Sequence, residues 1–138
     1  MHDMTGKTVL ITGASRGIGR DTALVFAAAG ANVALVARGT EKIDSLASEI
    51  GAKAVAISCD VAKFQDVEAA VEQTLDSFGS LDVLIGNAGI IEPISHLATA
   101  DPEEWSFVVD VNLKGIFYGM RAVLPVMLKN GGGTILTI

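Results

Sequence analysis

Short, unbroken apolar runs alternate along the chain with stretches in which apolar positions recur at helical spacing. Residues 8–12 (TVLIT) form the first run and end at a glycine turn. Residues 18–29 are Ala-rich and read as a helix, with Gly30 where a helix stop belongs. A second buried strand, 33–37 (VALVA), follows. Thr40 then offers an N-cap, Ile43, Leu46, Ala47 and Ile50 recur at i, i+3, i+4 and i+7, and Gly51 ends that helix. Residues 54–58 (AVAIS) are the third strand. Val67, Val71, Leu75 and Phe78 line one helical face before Gly79, and 81–85 is strand four, with Asp82 near its start. Residues 88–100 read as a loop. Asp101-Pro102-Glu103-Glu104 is a helix start: Asp101 caps, Pro102 takes the first helical position where its missing N–H costs nothing, and Glu104 can reach back. The helical stretch runs towards Lys129, with a break expected near 112–115 and a kink or new start required at Pro125. Residues 134–138 form strand five, expected to be an uncovered sheet edge.

Strict alternation of strands and helices, with strands apolar throughout, predicts an α/β fold in which helices cover both faces of a parallel sheet. Each crossover is expected to be right-handed. At 138 residues, with no linker or repeat, the chain reads as one domain over 1–138, or part of one. Hydrophobic residues are 50% of the chain and aromatics only 5%, so the core is aliphatic. The net charge of −6 and the lack of a basic stripe argue against a nucleic-acid partner. No apolar run reaches the ~18 residues of a membrane span, and the polar N-terminus shows no signal-peptide core, so a cytoplasmic protein without a membrane partner is expected. The lone Cys59 excludes an internal disulfide and reads as a small buried hydrophobe. No Cys/His cluster has metal-ligand spacing, so no metal is expected.

Chemistry concentrates between the first strand and the first helix. Thr12-Gly13-Ala14-Ser15-Arg16-Gly17-Ile18-Gly19 places glycines as G-x-x-x-G-x-G, which is neither the P-loop nor the G-x-G-x-x-G pattern. The physics is shared with both. Gly13 permits a sharp turn out of the strand, Gly17 lets backbone approach a pyrophosphate, and Gly19 allows close packing of helix on sheet. The helix N-terminus offers free N–H groups to phosphate, and Ser15 and Arg16 add a hydroxyl and a cation. The second strand ends Val36-Ala37-Arg38, with no carboxylate to accept from ribose hydroxyls. A guanidinium there suits a 2′-phosphate, so NADP is favoured over NAD, with Arg16 and Arg38 clamping the phosphate from two sides.

Taken in order, these segments resemble those of the short-chain dehydrogenases/reductases. The glycine segment, Ile18 included, is similar to the family's TGxxxGxG cofactor motif. Cys59-Asp60-Val61 resembles the Asp-Val that meets the adenine ring. Gly86-Asn87-Ala88-Gly89 resembles the Asn-Asn-Ala-Gly segment after strand four, with glycine in place of its first Asn. Asp110-Val111-Asn112 resembles the segment that carries the family's structural and catalytic Asn. The resemblance extends from Lys7 to Ile138. It implies a Rossmann-like doubly wound parallel sheet in the order 3-2-1-4-5. It also implies cofactor contacts at Asp60, Val61, Asn87, Ala88 and Gly89, with Asn112 in the proton relay. Plainer roles stand beside these: Asp60 capping a turn, Asn112 satisfying backbone at a helix bend, and Arg38 as a solvated surface cation.

In that family a Ser follows strand five, and a Tyr-x-x-x-Lys pair lies on the next helix. Here the lone tyrosine, Tyr118, is followed at i+4 by Ala122 and precedes strand five, so it reads as a packing residue. The resemblance therefore implies the cofactor-binding part of an NADP-dependent oxidoreductase, cut after strand five. Its reaction would be hydride transfer between nicotinamide and a small-molecule carbonyl or secondary alcohol, with these residues inactive alone. It also implies a homodimer or homotetramer. A non-catalytic nucleotide-binding or regulatory module is the alternative, and an S-adenosylmethionine methyltransferase fits the motif order less well.

Overall fold

The computed structural model describes residues 2–138. Five parallel strands form one sheet: β1 (Thr8–Thr12), β2 (Asn32–Ala37), β3 (Ala54–Ser58), β4 (Val83–Gly86) and β5 (Thr134–Thr137), in the order β3-β2-β1-β4-β5. The helices are α1 (Gly17–Ala28), α2 (Glu41–Ile50), α3 (Phe64–Phe78), α4 (Pro102–Val109) and α5 (Gly115–Lys129). A π turn, Asp110–Lys114, joins α4 to α5, and a 3₁₀ turn spans Leu97–Thr99.

Side chains alternate across the pleat, which is why each strand must be apolar throughout. Val9, Ile11, Val33 and Leu35 face one way and pack with Ala23 of α1 and Ile43 and Leu46 of α2. Leu10, Ala34, Val36 and Ile57 face the other way and pack with Val67 and Val71 of α3 and Val123 and Met127 of α5. Full burial of one such aliphatic side chain stabilises the fold by about 1.5–3 kcal/mol. β5 lies at the sheet edge, with Leu136 exposed. No helix among the described residues is long and apolar enough to cross a membrane.

The expected elements are present, and the differences have local causes. β4 begins at Val83, two residues later than the pattern suggests. The carboxylate of Asp82 instead accepts from the Thr8 N–H at 2.9 Å and from Lys7 Nζ at 3.0 Å, tying the starts of two strands together. Thr40 precedes α2 but its side chain makes no capping bond, whereas Asp101 caps α4 through the N–H groups of Glu103 and Glu104. The break expected near 112–115 is the π turn, whose wider i→i+5 bond runs from the Gly115 N–H to the Asp110 carbonyl. Pro125 does not begin a new helix: α5 continues through it. Pro125 and Arg121 are both exposed, so the carbonyl that proline leaves unpaired one turn back is open to water.

Candidate functional site

At the C-terminal ends of β1 to β4 lies a cleft of about 380 Å³, within the usual range of small-ligand sites. The β1–α1 loop contributes Gly13, Ser15, Arg16, Gly17 and Ile18, and the tip of β2 contributes Val36, Ala37 and Arg38. Cys59, Asp60 and Val61 come from the end of β3. Asn87, Ala88, Gly89 and Ile90 follow β4, and Val111 comes from the π turn.

The loop is shaped by contacts that leave no room for a Cβ. Gly13 has φ +68°, and a side chain there would come within 2.9 Å of both Ala88 Cα and Asn87 Nδ2. Gly19 does not line the cleft. It lies beneath the loop, where a Cβ would strike the Gly13 carbonyl and Asn87 Nδ2, so its smallness serves the interlock with Asn87 rather than helix-on-sheet packing. Asn87 Nδ2 donates to the carbonyls of Thr12 and Gly13, at 3.0 and 3.2 Å. Thr12 Oγ1 accepts from the N–H groups of Asn87 and Ala88, each at 3.0 Å. Thr12 is thus the pin that joins the loops after β1 and β4.

Gly17 is different. Its φ is +55°, and a Cβ there would meet no atom within 4 Å. It opens α1, which has no side-chain cap and no acidic residue in its first turn. A 12-residue helix therefore presents uncapped N–H groups and a positive dipole end beside the cleft. Arg16 and Arg38 add two cations, and among the described residues neither has a carboxylate partner. The Arg38 Cζ lies 5.9 Å from the centre of the Phe107 ring of α4. Val36, Val61 and Val111 give the cleft an apolar slot. Gly115 permits this, since a Cβ there would come within 3.0 Å of Val61 Cγ2. An open glycine at an uncapped helix start, two unpaired guanidinium groups and an apolar slot together fit a phosphate-bearing dinucleotide.

The remaining candidates have plainer contacts. Asp60 lines the cleft and also caps a turn, its Oδ1 accepting from the Ala62 N–H at 3.1 Å. Asn112 does not line it. Its Oδ1 accepts from the Ile90 N–H at 2.8 Å and its Nδ2 donates to the Ile90 carbonyl at 2.7 Å, fixing the loop after β4 on the π turn. Burial, aided by the Asp66 and Asp60 carboxylates, pushes the Cys59 thiol up to about 12, so it packs as a hydrophobe. Tyr118 packs against Phe64 and Phe117 with tilted rings, their centres 5.5 and 5.8 Å away. Among the described residues no group of three His, Cys, Asp or Glu side chains could hold a metal ion. The sequence reading quoted Thr12 and Val111 only as members of their motifs, expected the segment from Ile90 to line one side of a pocket, and gave Phe107 no role.

The sequence matches the family described as short chain dehydrogenase over residues 7–138. An uncharacterized oxidoreductase of Staphylococcus saprophyticus is 40% identical over 139 residues, covering 100% of this chain and 56% of its own. The 3-oxoacyl-acyl-carrier-protein reductase FabG of Staphylococcus aureus is 43% identical over 136 residues, covering 96% of this chain and 55% of its own. Among solved structures, the 3-ketoacyl-(acyl-carrier-protein) reductase of Brucella melitensis complexed with NADH superposes with a TM-score of 0.94 at 38% identity, covering 98% of this chain and 57% of that one. The chain spans a little over half the length of the curated relatives it matches. Motifs, sheet order and match agree: the chain belongs to the short chain dehydrogenase family.

Proposed function

We propose that these residues hold the nicotinamide dinucleotide of an oxidoreductase that interconverts a carbonyl and a secondary alcohol, with NADP preferred over NAD. The observation that carries this reading is the pairing of open Gly17 with the unpartnered Arg16 and Arg38 around one cleft. The NADH bound to the Brucella melitensis relative supports the cofactor class, and the reductase names of the relatives support the reaction class.

When bound, the nicotinamide supplies or accepts the hydride. The chain's own residues would do the rest of the holding. The uncapped start of α1 and Gly17 take the pyrophosphate, and Arg16 and Arg38 take the 2′-phosphate. Val36, Val61 and Val111 accept the adenine face, with Asp60 at its edge, while Asn87, Ala88 and Gly89 carry the chain past the nicotinamide half. Asn112 acts through Ile90, whose backbone it grips from both sides. The Ser and the Tyr-x-x-x-Lys of the family are not among these 138 residues. Positioned acid–base chemistry contributes roughly 10²–10⁴-fold, so these residues alone are expected to consume no NADPH with any ketone. Turnover well above buffer would overturn that.

Arg38→Asp tests the preference directly. It removes a charge-assisted contact of about 1.5–3 kcal/mol, so NADPH affinity should fall roughly 10- to 100-fold and drop below that for NADH. Equal affinities of the parent chain for the two cofactors would sink the two-arginine reading.

A further inference from the structure

Helix α4 buries none of its residues and lines no part of the cleft, but Phe107 in its last turn lies one turn before Val111, which does. Arg38, at the tip of β2, reaches the Phe107 ring. Among the described residues its guanidinium makes no hydrogen bond and no ion pair. The contact distance of 5.9 Å falls at the outer limit for a cation over an aromatic face, about 6 Å. A guanidinium uses its flat face against a ring and its in-plane N–H edge against a phosphate, so one contact does not exclude the other.

We propose that Phe107 is a positioning residue for cofactor specificity: its ring holds the Arg38 guanidinium over the cleft rim, with the N–H edge free for a 2′-phosphate. This rests on the reading of Arg38 given above. Without the ring, the Arg38 side chain samples solvent and loses its rotamers only when the phosphate binds, which weakens the phosphate-bearing cofactor alone. Phe107 is 38% exposed, so the chain should fold without its ring.

The test measures Kd for NADPH and NADH, by nicotinamide fluorescence, on the full chain and on Phe107→Leu and Phe107→Trp. Leucine keeps apolar bulk without the π face; tryptophan offers the best face. Phe107→Leu should weaken NADPH roughly two- to fivefold and leave NADH unchanged, while Phe107→Trp should match or exceed the parent. In an Arg38→Leu background the Phe107 variants should be indistinguishable. Equal losses for both cofactors would make Phe107 a packing residue. An unchanged ratio, tighter NADPH in Phe107→Leu, or an effect that survives Arg38→Leu would each overturn the proposal while leaving the reading of Arg38 standing. A parent that does not prefer NADPH overturns both.

Discussion

Along the β1–α1 side of the cleft, two loops are locked together by close approach and by side-chain-to-backbone bonds. Gly13 and Gly19 admit no added carbon, Asn87 ties two carbonyls, and Thr12 collects two N–H groups. Across the cleft, α4 and the loop before it are held from their exposed surface. Trp105 is 62% exposed, Ile91 and Leu97 more so, and the chief anchors are the two bonds from Asn112 to Ile90 and the Arg38–Phe107 contact. The end proposed to take phosphate is thus ordered by contacts within the chain, because the loops after β1 and β4 approach closely and bond to each other. The opposite rim depends on a few side-chain contacts open to water, and so is the side on which adjustment costs little.

The contrast breaks most easily at Gly19. Gly19→Ala drives a carbon into the Gly13 carbonyl, which is backbone, and into the Asn87 amide, a side-chain end held by two hydrogen bonds. Stability should fall by about 3 kcal/mol, read as a lower urea midpoint, and nucleotide binding should go with it. A loss under ~1 kcal/mol would show that the loop shifts freely, and the two sides would then differ little. Asn112→Ala should be milder. It removes two exposed hydrogen bonds that water can replace, for about 1 kcal/mol. Amide exchange should quicken around Ile90 and stay unchanged in the glycine loop; equal loosening of both would make the two sides one unit.

The smallest effect lies away from the cleft, at Asp82. Burial raises its pKa, but the hydrogen bonds from the Thr8 N–H, Lys7 and Ser80 outweigh that and hold the carboxyl below its ordinary 3.8. A depressed carboxyl contributes stability above its unfolded pKa and loses it as pH falls through the folded value. Thermal stability should therefore decline below about pH 4, and Asp82→Asn should make that limb shallower. An identical acid limb in the variant would remove Asp82 from the account. Cleft binding at neutral pH should not notice the change, since Asp82 sits at the other end of β1.

Periodicity located strands one to four and the helices that pack on them because each buries an apolar face, and that requirement is written residue by residue; β5 and α4, which bury little, were found from β-type composition and from the Asp101-Pro102 helix start. The glycine segment was equally legible, since positive φ at Gly13 and Gly17 demands glycine. Asp82 was harder to place: a carboxylate beside a strand makes sense only once Lys7 and Thr8 are seen 75 and 74 residues away. The π turn was legible only as a disturbance, because a widened turn and a broken helix leave the same interruption in an apolar stripe.

Local chemistry therefore determined which segments are strands, where the chain turns tightly, and which loop suits a phosphate, because propensity, φ and helix ends are properties of neighbouring residues. Tertiary packing decided that Gly19 is needed for Asn87 and that Thr12 pins the loops after β1 and β4. It also decided that Asn112 grips Ile90 and that Arg38 meets Phe107. Each of these joins residues 22 to 76 apart in sequence or set on different elements. Crossover connections bring them together, and no local pattern encodes a contact whose two halves fold separately.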